Sequence, residues 1–226
     1  MAGKVFFSVA MSLDGYIAPV DGGAFAALKE GRGDDPGLKR WMSQWGELQG
    51  WALRQRFMRE NLKIGEGGET GPDDDFLRRT FERTGSTVLG KRMFEGGELG
   101  WAEDAPFHTP VFVLTHEVRE PWKRLGGTVF HFVNDGIESA LAQARDAAGD
   151  RDVRIGGGAE TILQYLNAGL VDEFTISLRP VLFGAGVSLF DGVDPARVAL
   201  DLTGTEASPS VTHLSYAVRR LSADRG

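Results

Sequence analysis

Glycine placement constrains this chain more than any other feature. The 31 glycines of the 226 residues gather at 22–23, 31–37, 65–71, 96–100, 156–158 and 184–186, each cluster lying between apolar runs. Glycine reaches backbone angles that other residues avoid, so such clusters mark turns. Between them lie short β-branched or aromatic runs with strand character: Val5–Ala10, Ser86–Leu89, Val111–Leu114, Thr128–Val133, Val153–Ile155 and Glu173–Leu178. Two more, near Val198–Thr205 and Val211–Val218, predict a closing hairpin. Helical spacing appears in Ile137, Leu141, Ala144 and Ala148, and again in Ile162, Tyr165 and Leu166. Strands alternating with helices predict an α/β fold with a mainly parallel sheet and antiparallel C-terminal strands.

Length predicts one domain over 1–226, carrying an insertion at about 37–70. Within that insertion Trp41, Trp45, Leu48 and Ala52 form a helical stripe, which fits core, a dimer contact or a wall of a substrate pocket. A glycine-rich acidic break follows at 65–75, and its pair Asp73 and Asp75 reads most simply as solvated.

The chain has no cysteine, which excludes disulfide scaffolds, thiolate metal sites and cysteine nucleophiles, and fits a reducing, cytoplasmic setting. A net charge of −7 disfavours broad binding to nucleic acid or anionic membrane. No apolar run is long enough to span a bilayer. His108, His116, His131 and His213 lack metal-ligand spacing, so no metal site is expected.

Three strand ends carry groups suited to anions. Gly85–Arg92 approaches the GxxxxGK[ST] phosphate loop, but Arg92 replaces the hydroxyl and residues 86–89 read as strand. What remains is a strand, then Gly90, Lys91 and Arg92, then a helix predicted from Met93: either an anion site at a helix start or an exposed basic turn. In Arg154-Ile-Gly-Gly-Gly-Ala-Glu-Thr161 a strand runs through three glycines into a helix near Ala159, without the third glycine of GxGxxG. This is either a pyrophosphate cradle or a packing turn. Thr115 and His116 close a third strand, as ligand groups or as a simple turn. Asp14-Gly15 is an ordinary turn pair, and Asp14 is the one carboxylate placed to assist protonation of a reduced ring.

Five collinear segments together resemble the dihydrofolate reductase-like superfamily, closest to the reductase domain of riboflavin biosynthesis. They are VAMSLDGYIA (9–18), VLGKRMFE (88–95), the run from Trp101 to His116, RIGGGAET (154–161) and LVDEFTISLRPVLFGAGVSLFDG (170–192). The resemblance covers about 4–20 and 84–220. It implies a three-layer α/β/α fold, NADPH as cofactor, and hydride transfer to a small heterocycle of pteridine or ribosylaminopyrimidine type.

Carried over by position, the resemblance implies that Ala10 and Ile17 flank the nicotinamide. Gly90, Lys91, Arg92 and Met93 would lie beside the adenosine phosphates, with Leu114, Thr115 and His116 near the 2′-phosphate. Gly156, Gly157, Gly158, Ala159, Glu160 and Thr161 would surround the pyrophosphate, and Asp14 would be the catalytic acid. A homodimer is also implied. The family pattern GRxT reads here Gly90-Lys91-Arg92-Met93, and losing that hydroxyl costs about 1 kcal/mol of cofactor affinity. A cysteine-free chain builds no zinc deaminase site, so the reductase half alone is expected. Two rival readings remain: a dinucleotide-binding module without turnover, and a flavin-using oxidoreductase.

Overall fold

A computed structural model describes residues 3–221. In chain order the elements are β1 (Val5–Ser12), β2 (Tyr16–Pro19), α1 (Ala24–Lys29), α2 (Pro36–Arg54), α3 (Arg56–Leu62), α4 (Pro72–Arg83) and β3 (Thr84–Gly90). There follow α5 (Lys91–Glu98), β4 (Pro110–Leu114), β5 (Trp122–Lys123), β6 (Val129–Val133), α6 (Ile137–Ala148), β7 (Asp152–Ile155) and α7 (Ala159–Asn167). The chain closes with β8 (Glu173–Arg179), β9 (Gly186–Ser188), β10 (Val198–Ala207) and β11 (Thr212–Arg220).

Nine strands form one sheet in the order β10-β11-β8-β1-β7-β3-β4-β6-β5. The six from β8 to β6 are mutually parallel, so all their C-terminal ends meet at one edge. Antiparallel strands flank them on both sides: β11 and β10 at one margin, as the sequence suggests, and the short β5 at the other.

Side-chain alternation divides each strand between two helical layers. Phe7, Val88, Phe112 and Ile155 face α6 and α7, where Leu141, Ala144, Ile162 and Tyr165 close the larger core. Leu89, Val111 and Val113 face the opposite layer and pack against Phe94 of α5. On that second face Arg83 of α4 lies over the ring of Phe6, 4.1 Å from its centroid. The result is an α/β/α sandwich.

The 37–70 segment folds as two helices. Asp35 caps α2 by accepting from the Leu38 N–H, and Pro36 occupies the first turn where its missing N–H costs nothing. Leu48, Trp51 and Ala52 are buried, so the inner end of the stripe is core, while Trp41 and Trp45 remain partly exposed. The acidic break keeps its predicted solvation at exposed Asp75 and departs from it at Asp73. Pro72 starts α4 there, and Asp73 and Asp74 are buried in its first turn. Asp74 accepts from the Phe57 N–H at 2.6 Å, and Asp73 from the Ser208 hydroxyl at 2.8 Å. Carboxylates at a helix start are favoured by its dipole, and their local partners repay the desolvation.

Candidate active site

The sheet splits at its C-terminal edge. β1 pairs with β7 only at Val5–Val153 and Phe6–Arg154, then runs on to Ser12 paired with β8 alone. A slot therefore opens between β1 and the chain that follows β7. Ala10 lines the β1 side, buried and in register with Ser177. Ile17, on β2, is half-buried against the larger core.

The opposite wall is the glycine turn. Gly156 donates to Val88 at 2.8 Å and the Gly157 carbonyl accepts from Gly90 at 2.7 Å, which ties the turn to the end of β3. Gly157 has φ +110°, open only to glycine at low cost, and the Gly157–Gly158 peptide is cis. Gly158 precedes α7 and Gly90 precedes α5, and neither helix start has a side-chain cap. The two starts touch: a Cβ on Gly90 would overlap Thr161 Oγ1 and reach the Gly158 nitrogen at 3.5 Å. Two uncapped helix N-termini thus converge on one point beside the slot, where unpaired N–H groups and aligned dipoles favour an anion. Ala159 and exposed Glu160 form the first turn of α7, and Thr161 is buried against Gly90.

The cationic side differs from the expectation. The helix begins at Lys91, two residues before the predicted Met93. Lys91 is taken by Glu117 at 2.6 Å, with Glu95 at 3.7 Å, and this pairing raises the lysine and lowers the Glu117 carboxyl from their ordinary values. Arg92 is largely exposed, 3.9 Å from Asp21, and Met93 is exposed. Leu114 ends β4. Thr115 Oγ1 accepts from the Glu117 N–H at 3.1 Å and His116 is exposed. Lys91, Thr115, Glu117 and Arg119 ring a shallow hollow beyond β4. Nothing in the spacing of Glu117 along the sequence marks it as the partner of Lys91.

Asp14 stands apart from the role of acid. Its carboxylate accepts from the Ser12 hydroxyl at 2.6 Å, the Gly184 N–H at 2.7 Å and the Phe183 N–H at 3.1 Å. The Ser12 bond above all lowers its pKa, so the group is ionised at neutral pH and holds the 181–184 turn against β1. A carboxylate in that state accepts protons' hydrogen bonds and has none to give.

On β8, next to Ala10 in register, Ser177 Oγ lies 2.9 Å from His213 Nδ1, and His213 Nε2 lies 3.2 Å from Asp73 Oδ1. The arrangement has the residue types of a hydrolase triad, but Ser177 is 1% exposed and sealed from any substrate. Among the described residues no cluster of metal-ligating groups occurs, and no helix is long and apolar enough to cross a membrane.

A three-layer α/β sandwich with a glycine-lined slot at its parallel edge is the framework of a dihydrofolate reductase-like protein. The family model for the RibD C-terminal domain matches residues 3–214, and the chain belongs to that family. The match runs through the α2–α3 segment, beyond the stretches where the motifs are recognisable by eye. YyaP of Bacillus subtilis, an uncharacterized protein, is 36% identical over 86 residues, 38% of this chain and 45% of YyaP. The matched stretch thus spans about half the length of that curated relative. A protein from Shewanella sp. PV-4 assigned to riboflavin biosynthesis shares the fold with TM-score 0.63 at 23% identity, over 96% of this chain and 99% of that one. Dihydrofolate reductase from Enterococcus faecalis, solved with NADP(H), gives TM-score 0.52 at 15% identity over 96% and 98% of the two chains.

Proposed function

We propose that this chain is an NADPH-dependent reductase that transfers hydride to a small flat heterocycle of pteridine or ribosylaminopyrimidine type. The observation that carries the reading is the convergence of the α5 and α7 N-termini at Gly90 and Gly158, beside the slot that Ala10 lines. The pyrophosphate would lie on Gly156, Gly157, Gly158, Ala159, Glu160 and Thr161, with Gly90, Lys91, Arg92 and Met93 alongside. The adenosine 2′-phosphate would lie over Leu114, Thr115 and His116, once Lys91 turns from Glu117 to the ligand. When bound, the nicotinamide supplies the hydride; the protein supplies orientation. Ala10 and Ile17, which carry no polar group, would offer a flat ring an apolar surface against β1. Asp14 acts here as a clamp on the 181–184 turn, not as the proton donor. The proton would then come from water or from the substrate's own acidic group.

Met93 and the Lys91–Glu117 pair favour one second reading, a binding module that retains the slot without turnover. The two readings part on nicotinamide oxidation. Pterins and ribosylaminopyrimidines, with and without phosphate, are offered to the protein with NADPH, and loss of nicotinamide absorbance is followed. Oxidation with any of them supports the reductase; binding of NADPH without oxidation by any supports the module. A homodimer and a cytoplasmic setting belong to the same proposal. Exposed Leu200 and Leu202 on the edge strand β10 would give a second copy apolar surface to cover, which sedimentation tests directly.

A further inference from the structure

A helix that crosses a sheet ordinarily meets large apolar side chains there. Under α4 the strand register sets out a different surface. Ser8 of β1 pairs with Thr175 of β8, Thr175 with Ser215 of β11, and Ser215 with Gly204 of β10. These residues form one row across four neighbouring strands, at the strand spacing of about 4.8 Å. Three carry a small hydroxyl side chain and the fourth carries none. The row leaves a cavity of about 540 Å³ between α4 and the sheet. Phe6 bounds it at one end, and His213 with Phe76 at the other; the rows of Phe6 and His213 lie about 13 Å apart at strand rise. Thr203 and Thr205 flank Gly204 on the open side, where both are exposed. The cavity floor runs from β1 towards the β10 margin, whereas the slot opens between β1 and β7. Its lining shares no residue with the slot or the glycine turn.

The chemistry of the walls says what fits. The charged residues at the rim are each paired already: Arg79 with Glu206 at 3.0 Å, and Arg83 with Glu173 at 2.7 Å and Asp152 at 2.6 Å. An ion would have to displace one of these partners, so the space favours a neutral guest. The Arg79–Glu206 pair spans the open side from α4 to β10, and an exposed pair of this kind opens at little cost. The floor is hydroxyl. Thr175 Oγ1 and Ser215 Oγ lie 3.0 Å apart, one hydrogen bond that uses one of their two protons. The second proton and the spare lone pairs remain for a ligand, and Ser8, Thr175 and Ser215 are all half-buried, not sealed. Hydroxyls both donate and accept, so a row of them matches a guest whose own groups do the same. The aromatic ends suit the C–H faces of a ring, and the volume is that of an ordinary small-molecule site. We infer that this cavity is a second ligand site, which takes a neutral, hydroxyl-bearing ring: a sugar, free or as the ribose of a nucleoside. The inference stands apart from the reductase reading.

The test uses the full chain, alone and with saturating NADPH, titrated to millimolar concentration with D-ribose, D-glucose, adenosine, uridine and inorganic phosphate. Backbone amide spectra are followed for wild type, Ser8→Ala and Thr175→Val, with circular dichroism to verify folding. At least one neutral probe should move the amides of Thr175, Gly204 and Ser215, whether NADPH is present or absent. Thr175→Val keeps the shape and removes the hydroxyl, so it should weaken that probe by about fivefold or more. NADPH affinity should stay within about twofold, as expected of a residue outside the slot. A nucleoside that binds more tightly than ribose assigns the nucleoside; equal affinity assigns the sugar alone. Three results overturn the inference: no neutral probe moves those amides, phosphate moves them in place of the sugars, or both folded variants bind as wild type does. Sugar binding in a chain that ignores NADPH would sink the reductase reading and leave this site standing.

Discussion

The Thr161 hydroxyl rests on the bare Cα of Gly90, so closely that a methyl group at residue 90 would overlap it. This contact brings the first turns of α5 and α7 together and forms the corner proposed above for the pyrophosphate. Gly90→Ala should therefore force the helices apart and cost about 1–3 kcal/mol, the usual penalty of overpacking. Thr161→Ala added to it should restore much of the loss. Urea unfolding of the two single variants and the pair measures the coupling.

Gly158 is the complementary case. It has φ −75°, and a Cβ built on it meets nothing within 4 Å. Gly158→Ala should leave folding unchanged and yet weaken NADPH by about tenfold or more, because the methyl group occupies space the pyrophosphate needs. Gly157 is a poorer probe, since its φ of +110° strains any side chain whatever the ligand does. Circular dichroism and a fluorescence titration on the one variant separate stability from binding.

On the proposed reading, Glu117 would compete with the cofactor for Lys91. Glu117→Gln should tighten NADPH by roughly threefold to tenfold, since the lysine is released and a negative charge near the 2′-phosphate is removed. The gain should shrink as salt rises, because the hollow is exposed. NADH, with no 2′-phosphate, should gain less, and comparing the two cofactors isolates the effect.

Asp14 is expected to matter for loop order. Asp14→Asn weakens the bonds from Phe183 and Gly184, so those two amides should exchange hydrogen faster than in wild type. The sign with pH follows from the lowered pKa. The clamp is fully present above the ordinary aspartate value of 3.8 and is lost as pH falls through the lower folded value. Exchange at Phe183 and Gly184 that is indifferent to the substitution would remove the clamp.

His213 gives a second pH handle. The ring is stacked on Phe76 at 4.0 Å and lies edge-on to Trp51 at 5.1 Å, and burial lowers its pKa below the ordinary 6.5, against the pull of Asp73. A base with a depressed folded pKa opposes unfolding fully above 6.5, and that stability declines as pH drops below it. Wild type should lose stability faster than His213→Gln as pH falls below 6.5, which denaturant unfolding at a series of pH values reads directly.

Much of this architecture was legible in the chain. The strand runs and the helix spacing of Ile137 to Ala148 locate the parallel sheet and its rear layer, because both rest on local periodicity. The glycine turn after Ile155 was legible for the same reason. What escaped were relations between distant residues. Asp73 reads as a surface acid until Ser208 and His213, more than 130 residues away, fold against it. Lys91 reads as a phosphate ligand until Glu117 comes alongside. The short β2, β5 and β9 have too few residues to show a period at all.

Direct titration of the purified chain with NADPH, read by nicotinamide fluorescence, tests the central claim. Saturable binding at or below tens of micromolar is expected in wild type, with its loss in folded Gly158→Ala. No binding to wild type in that range, or equal binding by the two proteins, would contradict it.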